Sequence, residues 1–449
     1  MTDKRSRTAL ELNDVFRDSI LESMSEGIMV IGFDGVVNFA NPAALELLGF
    51  TKDNLVGSKF ASHFFDDPAN DDFSQAVLDA IYERNTRHQS LVVYHRADKE
   101  LHLRVISSFL TEGDKRLGII IVVSDLTELT DTRDAFGRFL SDDIVKQLLD
   151  TPEGLKLGGK KQLLTIMMSD LRGFTAMSER MDAADLITML NHYLGEMTDV
   201  IQAHNGTIIE FIGDGILAIF GAPEPSDNHA EDAVVAALEM QDRMEEINNW
   251  NREHDYPVLE MGIGINTGEV IVGNIGSEKR TKYGVVGSHV NLCGRIESYT
   301  VGGQVLISSA TRDMIDRELE IAKKMTVYPK GANGELELSH VSGIGNPYNL
   351  HVEMERSVLQ QLDTAIAVSF HRLEGKHEII KLCYGGITAV ACDSAFLETD
   401  VDLKVYDNIQ INAGGKLFCK VTDKTENGYT LQYTSVPTGY AAWLKEARN

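Results

Sequence analysis

The sequence carries little positive charge. Its 449 residues contain 42 Lys and Arg against 68 Asp and Glu, which gives a formal net charge of −26. Surfaces that bind nucleic acids neutralise phosphates with clustered basic side chains. We therefore expect no nucleic-acid partner, and any site for a phosphorylated ligand must be local and assisted by a metal ion.

Cysteines and long apolar runs are also scarce. The apolar runs, such as Gly118–Val123, have the length of a strand and not of a membrane helix. The first sixteen residues are charged and lack the apolar core of a signal peptide. Four irregularly spaced cysteines exclude a disulfide framework and a zinc site: Cys293, Cys383, Cys392 and Cys419. These features predict a cytoplasmic protein that does not insert into a membrane.

What is present is the composition of ordinary globular protein, with 43% hydrophobic and 24% charged residues. At about 100–200 residues per domain, the length predicts two to four domains. The strand and helix patterns below predict an α+β protein built from several such domains.

Residues 15–125 alternate short apolar segments with turns and one helical stretch, which predicts a small antiparallel sheet with helices on one side. The segment resembles a PAS sensor domain, on the residues Gly27, Ile28, Asp34, Gly35, Asn38 and Ala43. A cysteinyl-flavin photosensor is excluded because the first cysteine is Cys293. Four histidines offer axial ligands for haem, although an isolated histidine is more often structural: His63, His88, His95 and His102. The ligand and the signal of this domain stay unknown.

Residues 126–155 are predicted to connect two domains. Spacings of three and four between mostly apolar positions are typical of a short parallel coiled coil that joins two chains: Leu126, Leu129, Arg133, Phe136 and Leu140. An amphipathic connector packed on its own domain is the alternative.

The last hundred residues, 350–449, contain short strand-like runs separated by glycine pairs and turn residues, which predicts a small β-barrel. The predicted strands are 377–383, 386–392, 402–404, 408–411, 417–421 and 429–433. The barrel is similar to PilZ-like domains in its strand rhythm and in Asp393-Ser394. The paired-arginine motif that binds cyclic dinucleotides appears only as Arg372 with Lys376. We therefore favour a packing or interaction role over ligand binding.

The chemistry is concentrated between residues 160 and 345. Asp170 follows the apolar strand that begins at Leu163, and Asp214 lies in the turn of a predicted hairpin. Two carboxylates at neighbouring strand ends are the oxygen ligands that Mg²⁺ or Mn²⁺ prefers when it is shared with a triphosphate. An aspartate in a glycine-rich turn is more often only a turn residue, so this pair alone does not decide the function.

A third segment supplies a cation and an amide. Asn291 and Arg295 are four residues apart at the start of a predicted helix and therefore project from one face. A guanidinium group can stabilise the charge that develops on a transferring phosphoryl group, and Asn291 can hold a ribose. A helix with a surface salt bridge would be the alternative if nothing else matched.

Taken together, these segments resemble the catalytic domain of class III adenylate and guanylate cyclases. Three signatures of that family occur in order, as Asp170-Leu-Arg-Gly-Phe-Thr, Ile212-Gly-Asp-Gly-Ile-Leu-Ala and Val290-Asn-Leu-Cys-Gly-Arg-Ile-Glu. The Gly-Gly-(Asp/Glu)-Glu-Phe turn of diguanylate cyclases is absent. The resemblance implies a palm-like, ferredoxin-like catalytic domain over 160–345.

The resemblance also assigns roles. It implies that Asp170 and Asp214 bind two Mg²⁺ or Mn²⁺ ions, that Asn291 and Arg295 stabilise the transition state, and that Lys330 contacts the triphosphate. Lys279 or Arg280 would be a second phosphate contact, although a charged loop is usually only solvated. In the family, two catalytic domains pair head to tail and complete each other's sites. The resemblance thus implies a homodimer with a nucleoside triphosphate substrate.

The choice of purine rests on Glu210, four residues before Asp214. The family's guanylate cyclases carry Glu at this position and its adenylate cyclases carry Lys. A carboxylate can accept from the N1 and N2 donors of guanine, whereas a Lys donates to adenine N1. The apolar run around Glu210 argues against a merely solvated side chain. Gly284 occupies the second base-determining position, where the family usually has a polar side chain.

We therefore expect GTP as the substrate and cyclic GMP as the product. An adenylate cyclase with the same fold and mechanism is the alternative. A degenerate domain that binds nucleotide without turnover is disfavoured because the family's five principal site residues are present. These are Asp170, Asp214, Asn291, Arg295 and Lys330.

Overall fold

A computed structural model of the chain describes residues 19–65, 67–82, 87–97, 99–113, 115–130, 144, 156–328, 334–353, 357–374 and 377–447. The chain forms two compact units, residues 1–140 and 141–449. The coiled-coil prediction over 126–155 falls mostly outside the described residues, as do Arg133, Phe136, Leu140 and Lys330. No helix within the described ranges is long and apolar enough to span a membrane.

The first unit contains one antiparallel sheet in the strand order β2-β1-β5-β4-β3. Its strands are β1 Gly27–Gly32, β2 Val37–Ala40, β3 Arg87–Arg96, β4 Lys99–Glu112 and β5 Lys115–Asp125. Its helices are α1 Pro42–Leu48, α2 Lys52–Leu55, α3 Ala61–Phe64 and α4 Asp71–Tyr82. Buried side chains of the sheet and of the helices form one core, which confirms the predicted arrangement.

A buried asparagine joins the sheet to the first helix of this unit. The Asn41 side-chain oxygen accepts from the backbone N–H of Ile28 at 2.8 Å and of Ala44 at 2.9 Å. It thereby satisfies one donor at the start of α1, as N-cap residues do, and also fixes the helix against β1.

The second unit begins with a nine-stranded sheet in the order β12-β13-β11-β9-β6-β8-β7, with β10 paired to β9 and β14 to β13. The strands are β6 Gly158–Leu171, β7 Gly206–Ile212, β8 Gly215–Phe220, β9 Met261–Ser277, β10 Arg280–Val286, β11 Val305–Ser308, β12 Leu319–Val327, β13 Leu336–Ile344 and β14 Leu350–His351. The helices are α5 Phe174–Ser178, α6 Ala183–Ala203, α7 His229–Glu253, α8 Ser288–Ser298 and α9 Ser309–Arg312. This element order contains a β-α-β-β-α-β core, which agrees with the expected palm-like, ferredoxin-like domain.

The helices cover both faces of this sheet. Strand residues alternate between faces, and on β11 the side chains of Val305 and Ile307 join the core formed with α6 and α7, whereas Leu306 packs with Ile296 of α8. A glycine lets α8 approach closely: a Cβ at Gly264 would lie 2.3 Å from the backbone nitrogen of Glu297. Helix α8 is therefore held directly on β9.

The chain ends in a closed six-stranded barrel, β15-β16-β17-β20-β19-β18. The strands are β15 Gln360–Glu374, β16 His377–Val390, β17 Ser394–Glu398, β18 Asn408–Asn412, β19 Lys416–Lys424 and β20 Tyr429–Ser435, and α10 Tyr440–Ala447 follows. The predicted barrel is confirmed, but its strand list was wrong in part. The runs 377–383 and 386–392 share one strand, 402–404 is not a strand, and β15 and β17 were missed. Tyr384 and Gly385 were interpreted as a break between the two runs, yet glycine is tolerated inside a strand.

Candidate active site

Asp170 and Asp214 lie side by side at one end of the sheet. Asp170 is next to the last residue of β6, and Asp214 lies in the turn between β7 and β8. Because β6 pairs with β8, the turn lies beside the end of β6. The Asp214 Oδ2 atom accepts from the backbone N–H of Leu171 at 3.1 Å. The structure thus brings together the two carboxylates that lie in separate segments of the sequence.

The two carboxylates interact unfavourably with each other. Burial, and next the charge of Asp170, raise the pKa of Asp214 to about 6. The pair therefore carries negative charge in a partly desolvated position, where a cation would relieve the repulsion.

The donor atoms fit a hard divalent cation. Both side chains offer oxygen, which suits Mg²⁺ or Mn²⁺ better than zinc. The described residues contain no cluster of three or more His, Cys, Asp and Glu side chains able to hold a metal ion. The remaining ligands of an ion on Asp170 and Asp214 would therefore come from backbone, water and a bound triphosphate.

An ion pair connects these aspartates to α8. The guanidinium of Arg172 donates to the backbone oxygen of Asp170 at 3.1 Å and pairs with the carboxylate of Glu297. The two side chains are only 10% and 15% exposed. The Asp170 carboxylate lies 3.5 Å from the same guanidinium. Arg172 and Glu297 belong to the first and third of the family signatures given above. Nothing in the sequence indicated an ion pair between them.

Asn291 and Arg295 lie on α8, as expected from their spacing. Asn291 is exposed and Arg295 is half-buried. The opposite side of the helix is anchored by Cys293, whose Sγ donates to the backbone oxygens of Ile166 and Gly264 at 3.2 Å each. Within the described part of one protomer, neither side chain makes a hydrogen bond or an ion pair with Asp214.

Glu210 lies on β7 and pairs with Lys282 of β10. The distance from Lys282 Nζ to Glu210 Oε2 is 2.8 Å, and the side chains are 59% and 46% exposed. The flanking apolar run does not bury Glu210, because Phe211 and Ile212 are themselves 46% and 58% exposed. In a single protomer the expectation of a desolvated Glu210 is therefore wrong. Lys282 was missed because it stood within a charged loop sequence.

The other candidate residues lie on the β9–β10 hairpin. Lys279 and Arg280 are exposed at its turn. Gly284 lies on β10 opposite Gly273, and a Cβ there would meet the Ile275 side chain at an ordinary contact distance of 3.5 Å. A Cβ atom would thus be sterically tolerated at position 284. Lys330 lies outside the described residues.

Comparison with known proteins identifies two domains. Residues 159–375 match the family described as "Adenylate and Guanylate cyclase catalytic domain", and residues 21–131 match the PAS fold. "Adenylate cyclase 1" of Rhizobium meliloti is 30% identical over 219 residues, which cover 48% of this chain and 32% of that protein. The chain thus spans about a third of the length of the curated relatives it matches.

Solved structures of both kinds of cyclase are similar in sequence. The guanylyl cyclase Cya2 is 51% identical, with 44% of this chain and 100% of that chain covered and a TM-score of 0.43. The adenylyl cyclase CyaB from P. aeruginosa is 32% identical, with 44% and 98% covered and a TM-score of 0.39.

Proposed function

Because the chain belongs to the class III adenylate and guanylate cyclases and carries an N-terminal PAS domain, we propose that it converts GTP to 3′,5′-cyclic GMP and pyrophosphate. The observation that carries the reaction type is the contact of Asp214 with the end of β6 beside Asp170. Class III cyclases generally use two divalent metal ions, and Asp170 and Asp214 would hold them in this chain. When bound, such ions neutralise phosphate charge and lower the pKa of a ribose hydroxyl.

The reaction needs no protein nucleophile. The 3′-oxygen of the substrate forms a bond to the α-phosphorus, the bond from that phosphorus to the bridging oxygen breaks, and pyrophosphate leaves in line. The hydroxyl proton goes to solvent. Arg295 donates to the phosphoryl oxygens as charge develops on them, and Asn291 orients the ribose.

Two protomers would complete each site. Cyclase domains related to this one work as dimers on nucleoside triphosphates, and we propose that Asp170 and Asp214 of one chain face Asn291 and Arg295 of another. Exposed apolar side chains support a partner surface, since Phe211, Ile212 and Val286 are 46%, 58% and 46% exposed. The PAS domain would adjust how the two catalytic domains meet.

Preference for GTP is supported by the Glu210–Lys282 pair. The edge of guanine presents an acceptor at O6 beside donors at N1 and N2. Glu210 can accept from both donors while Lys282 donates to O6. Such paired recognition of a base edge discriminates by about 1–3 kcal/mol.

Production of cyclic AMP is the second candidate, and Lys282 is the observation that favours it. Its ammonium group, 2.8 Å from Glu210, could donate to adenine N1 while Glu210 accepts from the N6 amine. Initial rates with GTP and with ATP, each with Mn²⁺, decide between the two. Faster turnover of ATP would overturn the guanylate assignment, and turnover of neither would overturn the proposed activity.

A further inference from the structure

A buried lysine of the barrel reaches the end of the catalytic helix. Lys420 lies on β19 and is 2% exposed. Its ammonium group donates to the backbone oxygens of Ser298 at 2.5 Å and Thr300 at 2.7 Å. These carbonyls lie at the C-terminal end of α8, where the helix dipole places negative charge. Lys420 therefore caps the helix that carries Asn291 and Arg295.

Burying this charge costs free energy. Burial, and next the charge of Arg172, lower the pKa of Lys420 to about 7, whereas Glu297 acts in the opposite direction. Lysine is almost never fully buried without compensating partners. The partners here are the two carbonyls and the Glu297 carboxylate, which itself pairs with Arg172 beside Asp170.

The barrel also packs closely against the loop that follows Asp170. Gly173 has a φ of 71°, and a Cβ there would lie 2.7 Å from the backbone oxygen of Thr434 at the end of β20. Glycine is required at this position for both reasons. Nearby, the ring of Tyr406 packs edge-on against Tyr299 just after α8, with 5.5 Å between ring centroids.

We propose that the barrel is a positioning element of the catalytic unit, in which Lys420 fixes the end of α8 relative to the loop at Gly173. This inference rests on the proposed function. In a head-to-tail dimer, α8 and the Asp170 loop of one chain serve different composite sites. Because Lys420 contacts the end of α8, it would act mainly on the site that takes Asn291 and Arg295 from its own chain, which assigns the C-terminal domain a role in turnover.

The test is Lys420→Met in the full chain, with Lys424→Met as the matched control. Lys424 lies on the same strand but is 48% exposed and pairs with Asp402 on the barrel surface. We expect kcat of Lys420→Met to fall by about tenfold or more, since small misplacements of catalytic groups are costly. We expect the KM of Lys420→Met to change by less than about threefold. Lys420→Arg should recover part of kcat, and the control Lys424→Met should match the wild type.

A second measurement separates positioning from general destabilisation. In a heterodimer of an Arg295→Ala chain with an Asp214→Ala chain, the intact site takes Arg295 from the second chain. Lys420→Met in the Asp214→Ala chain, which supplies Arg295 to the intact site, should lower the activity of the heterodimer about tenfold. The same substitution in the Arg295→Ala chain should lower that activity less than about threefold. Equal losses in both placements would overturn the proposal.

The outcomes distinguish this inference from the proposed activity. A wild-type protein that cyclises neither triphosphate refutes the proposed function. An active wild type with an equally active Lys420→Met refutes only the role of the barrel. If Lys420→Met does not fold, Tyr406→Leu carries the same test, because it removes the ring contact with Tyr299; unchanged kcat in that variant would overturn the proposal.

Discussion

The Asp214 carboxylate accepts a hydrogen bond from the backbone N–H of Leu171 at 3.1 Å. This bond ties the β7–β8 turn to the end of β6, so the two aspartates are brought together within one protomer. The proposed metal-binding pair is thus formed within the single chain, whereas the complete active site is proposed to need two chains.

Alanine at Asp170 or Asp214 should abolish turnover. Each carboxylate is proposed to hold metal, and loss of such a ligand should lower kcat by about a hundredfold or more. Neither side chain belongs to the apolar core, so thermal unfolding should stay close to that of the wild type. Exposed Asp242 on α7, changed to Ala, is the control. Substantial activity with Mn²⁺ in either variant would contradict the assignment.

Asparagine at Asp214 should stabilise the metal-free protein at alkaline pH. The pKa of Asp214 is raised to about 6 in the folded state. The folded state therefore binds the proton of Asp214 more tightly than the unfolded state does. As the pH rises from about 4 through 6, the contribution of this group to the stability of the fold is lost. Asp214→Asn keeps an acceptor for Leu171 and removes the repelled charge. We expect about 1 kcal/mol of added stability at pH 8, after allowance for solvent screening.

Urea unfolding of the metal-free protein at pH 8 and at pH 4 measures this effect. The gain should become small at pH 4, where Asp214 is protonated in the folded state and about half protonated in the unfolded state. A variant that is less stable than the wild type at pH 8 would show that the charge of Asp214 is favourably paired in the folded chain.

Two inactive chains should complement each other. An Asp214→Ala chain mixed with an Arg295→Ala chain forms heterodimers in which one of the two composite sites has no lesion. Co-expression and purification with two different tags should recover up to about half of the wild-type activity per heterodimer. Failure to recover any activity, with heterodimers present, would exclude the head-to-tail arrangement.

The Glu210–Lys282 pair should set the choice of purine. Glu210→Lys should shift the ratio of kcat/KM for GTP and ATP toward ATP by about ten- to a hundredfold. Lys282→Met, which leaves Glu210 without its 2.8 Å partner, should lower the GTP preference by a smaller factor. Lys161, whose exposed side chain pairs with Glu269 at 2.6 Å, provides a matched control when changed to Met. An unchanged ratio in Glu210→Lys would remove Glu210 from base recognition.

The sequence alone predicted the PAS domain, the catalytic domain and the barrel, because each depends on local features. Alternating apolar runs specify strands, and short signatures such as Asp170-Leu-Arg-Gly-Phe-Thr are contiguous in the chain. The same signatures are the basis on which we propose Asp170, Asp214, Asn291 and Arg295 as site residues. In the barrel, local patterns were less sufficient: Tyr384 and Gly385 were interpreted as a break, although pairing with β15 keeps both residues in a strand.

Only the tertiary structure decided which distant side chains meet. The Arg172–Glu297 pair spans 125 positions of sequence, and Lys420 reaches Ser298 across 122. A buried lysine in a strand has no local sequence signal, because its partners are backbone carbonyls of another domain. The exposure of Glu210 also depends on packing, since strand β7 lies at the edge of the sheet, where its apolar neighbours remain uncovered in one protomer.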